Sequence, residues 1–315
     1  MEGVKRLCFI AKRTVSGMAK PIRESEPWIK TIVREPMKEQ FYDAAPNATR
    51  VAPERELERV YPDKPEAVML FGSCVVDLFF PEAGLDAIRL LELQNVRVDY
   101  PQDQSCCGQP AWTSGYRDEA KKVARAQMDI MDRSGLPVVV PSGSCAGMFR
   151  HHYRALFADE PDTLKRVENL AERTFELTEF LLKVCKVQLA DQGVRSKIAL
   201  HTSCSARREM NTHLHARELL GQLDKVERVE HDHESECCGF GGTFSVRMPE
   251  VSGAMVKDKT RSLMDSGAVE MVTADGGCLM NINGSLEKQR ESFRGRHLAS
   301  FLWERINGTS EGEVV

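Results

Sequence analysis

The 315-residue chain has no apolar run long enough to cross a bilayer. Its longest, Ala67–Phe80, is about 14 residues and contains Asp77, against roughly 20 for a membrane helix. A basic excess is also missing: 43 Lys and Arg against 47 Asp and Glu leave a net charge of −4 and a pI near 6.1. That balance excludes a general nucleic-acid binder, which needs surplus cations to neutralise phosphates. The first 20 residues lack an apolar core followed by small residues, so no secretory signal is expected and the cytoplasm is the expected compartment. No Gly-x-Gly-x-x-Gly follows a strand-like run, which leaves no nucleotide, flavin or nicotinamide site to argue for. Nor is there a close Cys-x2–4-Cys pair of the kind that usually aims two sulfurs at one zinc ion.

Ten cysteines are present nonetheless. Thiols stay reduced in the cytoplasm, so this number of them points to metal ligation or redox chemistry rather than disulfides. Proline is concentrated at the start: seven of the 14 lie at positions 21, 27, 36, 46, 53, 62 and 65. Breaks about every seven residues limit helices to two turns or so, and residues 1–66 read as an arm of short helices and extended links. With only Cys8, that arm cannot hold an iron–sulfur cluster of its own. At the other end, residues 308–315 read as a flexible tail.

From Ala67 onward the chain is written twice. Ala67-Val-Met-Leu-Phe-Gly-Ser-Cys74 matches Lys197-Ile-Ala-Leu-His-Thr-Ser-Cys204, a buried strand ending in Ser-Cys each time. Helical stretches (85–93; 216–223) and strand-like pieces (96–100; 226–229) follow in both copies. Ser105-Cys-Cys-Gly108 then matches Glu236-Cys-Cys-Gly239, another helix intervenes, and the segments ending at Cys145 and Cys278 correspond. The offsets are 130 (74 to 204), 131 (106 to 237) and 133 (145 to 278). Each copy closes on an amphipathic helix, around 176–187 and 298–305. The expected fold is therefore α/β: two duplicated units, 67–190 and 197–307, each with a small mainly parallel sheet and its cysteines near strand C-termini.

Eight cysteines fall into the repeat, as Cys74–x31–Cys106-Cys107-Gly–x36–Cys145 and Cys204–x32–Cys237-Cys238-Gly–x38–Cys278. Adjacent cysteines point apart, which suits a polynuclear core better than one ion, and the Gly after each pair permits a positive φ where backbone must pass close to it. Iron–sulfur ligation is the favoured reading; a zinc-stabilised structural module and metal-free thiol chemistry are the alternatives. Closing each loop of 30–40 residues costs about 3 kcal/mol, so fold and cofactor should stabilise each other. Cys8 and Cys185 stand outside the pattern and read as structural.

The doubled Cys…Cys-Cys-Gly…Cys arrangement, with Pro-Ser-Gly-Ser-Cys145-Ala-Gly-Met and Cys237-Cys-Gly-Phe-Gly-Gly-Thr-Phe, resembles the CCG (cysteine-rich) domain family of iron–sulfur oxidoreductases. The motifs look most like its lactate-utilisation branch; the cysteine-rich component of heterodisulfide reductase and the glycolate oxidase iron–sulfur subunit are related. The resemblance covers roughly Ala67–Asn307. It implies one or two [4Fe-4S] clusters held by the eight cysteines, and an electron-transfer subunit of a complex that oxidises L-lactate to pyruvate. It also implies a ferredoxin-type iron–sulfur subunit and a third small subunit as partners. The alternative within the family is a heterodisulfide or disulfide reductase with the cluster as the reactive site. Two departures matter. Heterodisulfide-type domains end in Cys-x-x-Cys, whereas Ser142 and Asp275 stand three residues before Cys145 and Cys278, so a four-thiolate cube fits better than a five-cysteine cluster. Asp275 is kept as a further candidate iron ligand beside its simpler role as a helix cap. The second departure is the arm itself, which lacks the ferredoxin-like segment that the glycolate relatives carry, so electrons must come from or go to another polypeptide.

Other candidates are His201, three residues before Cys204, as a ligand or a hydrogen-bond partner of cluster sulfur; His231 and His233 as a proton relay; and Arg207, Arg208 and Arg247 as carboxylate or partner contacts. For each the simpler reading is a strand-end or surface role. No catalytic side chain is assigned.

Overall fold

The computed structural model describes residues 59–308, and every structural statement here concerns those residues. Of the proline-punctuated arm only residues 59–66 lie inside this range, and of the tail only Gly308; Cys8 lies outside it.

In the first repeat, β1 (Ala67–Leu70) leads into α1 (Cys74–Phe79), α2 (Pro81–Leu93) and β2 (Arg97–Asp99). Then come α3 (Gln109–Thr113), α4 (Arg117–Met131), β3 (Val138–Val140) and α5 (Gly143–Gly147). A π-helical turn, Met148–His152, carries α5 into α6 (Tyr153–Leu156), and α7 (Pro161–Glu172) leads to β4 (Thr174–Glu176) and α8 (Leu177–Glu179) with a second π turn, Phe180–Val184. The second repeat follows the same plan: β5 (Ser196–Leu200), α9 (Cys204–Met210), α10 (Thr212–Gly221), β6 (Val226–Val229), α11 (Phe244–Arg247), α12 (Pro249–Asp265), β7 (Glu270–Thr273), α13 (Gly276–Gln289), β8 (Gly295–His297) and α14 (Leu298–Asn307). Proline opens α2, α7 and α12 at a position whose N–H has no helical partner to lose.

Two sheets result, ordered β2-β1-β3-β4 and β6-β5-β7-β8, with every pairing parallel. The duplicated parallel α/β architecture expected from the repeats is thus present. Two details differ. The closing segments are helical as expected, at 177–184 and 298–307, but each follows an edge strand, β4 or β8, too short and too mixed in composition to show a period of two. Cys74 and Cys204 each open a short helix instead of ending a strand, because the chain turns at Ser73 and Ser203 before it reaches them.

Alternation along the strands divides the interior. Val68, Leu70 and Val139 join Ile198, Leu200 and Val272 in one core shared by the two sheets. Met69, Phe71, Val138 and Val140 face a core belonging to the first repeat, and Ala199 and Met271 one belonging to the second. Strands covered on both faces read as continuous apolar runs, which is why β1 and β3 are buried throughout. The repeats also exchange helices: α14 packs on α2 and α8 on α10, while α5 packs on α9 and α13 on α1.

The α5–α9 contact requires glycine, and the α13–α1 contact is tight at one. A Cβ on Gly143 would lie 2.3 Å from the Ala206 Cβ, and one on the equivalent Gly276 would lie 3.2 Å from Val75 Cγ1. Gly143→Ala should therefore lower the stability of the chain by about 1–3 kcal/mol through overpacking. Gly253→Ala, on α12 with nothing within 4 Å of the place its Cβ would occupy, should raise it by about 1 kcal/mol. Urea unfolding of both variants checks this; the same sign for the two would contradict the packing described.

Candidate metal centre

Strand order decides where the cysteines go. The chain runs from β1 outward to β2 and then returns to β3 on the other side of β1, so the order reverses between β1 and β3. Open parallel sheets leave a crevice at the carboxyl ends of the strands at such a point. Cys74 follows β1, Cys145 follows β3, and the Cys106-Cys107 pair follows β2. In the second sheet Cys204, Cys278 and the Cys237-Cys238 pair take the same places after β5, β7 and β6. Segments more than 30 residues apart in sequence are brought to one rim by the sheet alone.

Within each set the thiols interact in a chain. Cys106 interacts with both Cys107 and Cys74, and Cys107 with Cys145. Cys237 likewise interacts with Cys204 and Cys238, and Cys238 with Cys278. The two sets then share one cavity of about 370 Å³, lined by all eight of these cysteines. Cys185 is not part of it; half-buried, it packs against the shared core, and burial pushes its thiol up to about 11.

Backbone amides complete each nest. The Gly108 N–H donates to Cys106 Sγ and the Gly239 N–H to Cys237 Sγ, both at 3.4 Å. Both glycines have positive φ, +87° and +86°, in keeping with the Cys-Cys-Gly pattern. A Cβ on Gly239 would also sit 2.7 Å from the Ser252 carbonyl oxygen. Behind the pairs, Tyr153 Oη donates to the Cys107 carbonyl at 2.9 Å and Asn281 Nδ2 to the Cys238 carbonyl at 2.8 Å. Neither residue stands out in the sequence, since both lie in helical stretches after the last nest cysteine of their repeat.

The thiols perturb one another. Donation from Cys107 and Cys74 holds the Cys106 thiolate far below the ordinary thiol range, and donation from Cys204 and Cys238 does the same for Cys237. The donors shift in the opposite direction: Cys74, Cys107, Cys204 and Cys238 are pushed well up, first by those same hydrogen bonds and then by burial. Further ionisation in either nest needs a positive centre among the sulfurs, which metal ions supply. Four thiols gathered on one cavity wall, N–H donors aimed at sulfur and a Cβ-free backbone at the pair are the donor set and surroundings that iron–sulfur clusters use. The residues fit such a group.

The remaining candidates fall in several places. Asp275 lines the cavity and caps α13: Oδ1 accepts from the Gly277 N–H at 3.2 Å, while Oδ2 accepts from the Ser144 N–H of the other repeat at 3.1 Å. Burial pushes its carboxyl up. Gly276 and Gly277 form the first turn of α13. His201 is buried, and one of its ring nitrogens lies with the Cys238 and Cys278 sulfurs inside a 4.8 Å group. Burial, followed by the nearby Lys259 charge, drives its pKa far down, so its imidazole is neutral. His231 and His233 sit in a turn, His231 on the Leu200 carbonyl at 3.1 Å and His233 on Glu236 at 2.7 Å. Arg208 lines the cavity, Arg207 contacts Thr202 and Glu234, and Arg247 is exposed on α11. Across the cavity, His152 Nε2 meets Glu209 Oε1 at 3.0 Å and joins the repeats.

If Asp275 acts as a double cap, Asp275→Ala should cost about 1–2 kcal/mol of stability and Asp275→Asn less, since Asn also caps well. Thermal unfolding of the metal-free protein measures this. Equal stability of Asp275→Ala and the parent chain would contradict the capping role.

Residues 68–150 and 198–283 each match the CCG family, described as a cysteine-rich domain. Among curated proteins the chain is similar to lactate utilization protein A of Shouchella clausii (strain KSM-K16), 41% identical over 235 residues that span 75% of this chain and 98% of that protein. It is likewise similar to lactate utilization protein A of Bacillus subtilis (strain 168), 39% identical over 76% of this chain and 99% of the relative. A solved structure of a hypothetical protein from Helicobacter pylori has the same fold, with a TM-score of 0.57 at 11% identity, covering 79% of this chain and 51% of that one.

Proposed function

The chain belongs to the CCG cysteine-rich domain family, and on that footing we propose that it is an iron–sulfur electron-transfer subunit that takes part in the oxidation of L-lactate to pyruvate. One observation carries the reading: two nests of four thiols, each interacting in a chain, open into a single cavity of about 370 Å³. Cys74, Cys106, Cys107 and Cys145 would hold one [4Fe-4S] cluster, and Cys204, Cys237, Cys238 and Cys278 the other. A bound cluster supplies one-electron chemistry, and two of them match the two electrons that leave lactate on the way to pyruvate.

The protein's own part is to hold and shield. The two sheets fix the sulfurs, the Gly108 and Gly239 amides stabilise negative charge on them, and the paired helices α5–α9 and α1–α13 close the crevice from both repeats. Asp275 ties the two nests together through Gly277 and Ser144. The lactate assignment draws on the names of the relatives, together with the resemblance in motif. Electrons then pass to other polypeptides, a ferredoxin-type iron–sulfur subunit and a third small subunit. Reduced thiols in this number suit the cytoplasm. No helix of the described residues is long and apolar enough to cross a membrane.

Full-length protein purified without oxygen should be brown, contain iron and acid-labile sulfide, and give an electron paramagnetic signal on reduction. Cys106→Ser and Cys237→Ser should each remove about half of the iron, and the double variant nearly all of it. A colourless protein with stoichiometric zinc would instead favour a structural metal module.

A further inference from the structure

The nests share a plan but not a charge environment. Phe71 and His201 are equivalent: each donates its backbone N–H to the neighbouring strand, Phe71 to the Val139 carbonyl and His201 to the Val272 carbonyl, both at 2.9 Å. Phe71 packs edge-on against Phe149 with ring centroids 4.9 Å apart. His201, 1% exposed, places its neutral ring beside Cys238 and Cys278, and neither ring nitrogen has a hydrogen-bond partner among the described residues.

Gln127 and Lys259 are the second such pair. A Cβ on Gly108 would meet Ala120 and Val123 of α4, and one on Gly239 would meet Ser252 and Met255 of α12, which aligns 120 with 252 and 127 with 259. The N–H bonds of Ala120 to Tyr116 and of Ser252 to Met248, each 3.0 Å, keep the same register. Gln127, neutral and buried, donates to Ser105 Oγ at 3.0 Å. Lys259 is 1% exposed, donates to the His233 carbonyl, and interacts electrostatically with Cys238 and Cys278.

Acidic groups face Lys259 as well as sulfur: Glu236, hydrogen-bonded to His233 at 2.7 Å, is its strongest charge partner, Glu234 is held by Arg217 at 2.7 Å, and Asp275 lines the cavity. Arg208, at the cavity, adds a cation beside Cys204. A thiolate-bound cluster gains one negative charge when it is reduced, so a fixed cation close by favours the reduced form, and more so where water is excluded.

We propose that Lys259, assisted by the His201 ring at the sulfurs, makes the second nest the higher-potential of the two electron sites. An electron entering at the first nest then settles in the second: one is lost at the first site and one gained at the second, the source being the substrate oxidation proposed above. The inference rests on the cluster reading of the two nests and assigns them an order. Lys259 and His201 act through the cluster's surroundings, as positioning residues.

The test is a potentiometric titration of the anaerobic full-length protein followed by electron paramagnetic resonance, with Cys106→Ser and Cys237→Ser used to assign the two signals. In the parent chain the second-nest midpoint lies above the first. Lys259→Gln should shift the second-nest reduction equilibrium at least tenfold toward the oxidised form, ~59 mV for one electron, and leave the first unmoved. Lys259→Arg should restore most of it, His201→Phe should shift the second midpoint in the same direction as Lys259→Gln, and Gln127→Lys should raise the first. Unmoved midpoints in Lys259→Gln at full iron content, or a first-nest midpoint above the second, would overturn the assignment. Should Lys259→Gln fail to fold, Gln127→Lys decides alone, an unmoved first midpoint counting against the proposal. Absence of iron and of any signal in the parent protein is a separate result, which removes the cluster reading itself.

Discussion

Thiols gathered close together resist ionising together, and the arrangement of this chain is governed by that resistance. In each nest one thiol, Cys106 or Cys237, is shifted toward its thiolate, steadied by thiols on either side and by a glycine amide. Its neighbours are correspondingly hard to ionise. Such a site is poised for a multivalent positive core, because every further proton lost needs a cation to replace it. Long loops separate the ligands, so their convergence depends on the parallel sheets and on the reversal of strand order between β1 and β3 and between β5 and β7.

Duplication turns one such rim into a shared chamber. Neither repeat buries its own sheet fully; Val68, Leu70 and Val139 of one meet Ile198, Leu200 and Val272 of the other in a common core. The exchanged helix contacts, the glycines at 143 and 276, and the reach of Asp275 to Ser144 all lie along the same join. Both nests therefore face one space. On the proposed cluster reading, two one-electron sites in one chamber would suit a two-electron oxidation, and the difference between buried Lys259 and Gln127 would give it a direction.

Much of this is legible in the residues. The near-constant offsets between the copies give the duplication, the apolar runs ending in Ser-Cys give the inner strands, and the Cys-Cys-Gly pairs give the positive φ at Gly108 and Gly239. Other features are not, for identifiable reasons. β4 and β8 are three residues each, below the length at which alternation can show. Pairing of thiols into a single cavity depends on strand order, which no local pattern encodes. Tyr153 and Asn281 act on carbonyls 46 and 43 residues away, so nothing near them in sequence hints at the contact. Lys259 leaves a faint trace: it falls between Val256 and Leu263 on the buried face of α12, a place where an exposed lysine would not sit. The cysteines declare their chemistry through spacing, whereas the groups that tune them are seen only once the helices are packed.

The central claim is that the eight cysteines converge, four and four, on two iron-containing cores inside one chamber. An anomalous difference map at the iron edge, from crystals grown and frozen without oxygen, addresses it most directly. The account predicts two iron centres in the one cavity, the first against Cys74, Cys106, Cys107 and Cys145 and the second against Cys204, Cys237, Cys238 and Cys278. Iron bound elsewhere, or eight metal-free thiols in a fully reduced crystal, would contradict it.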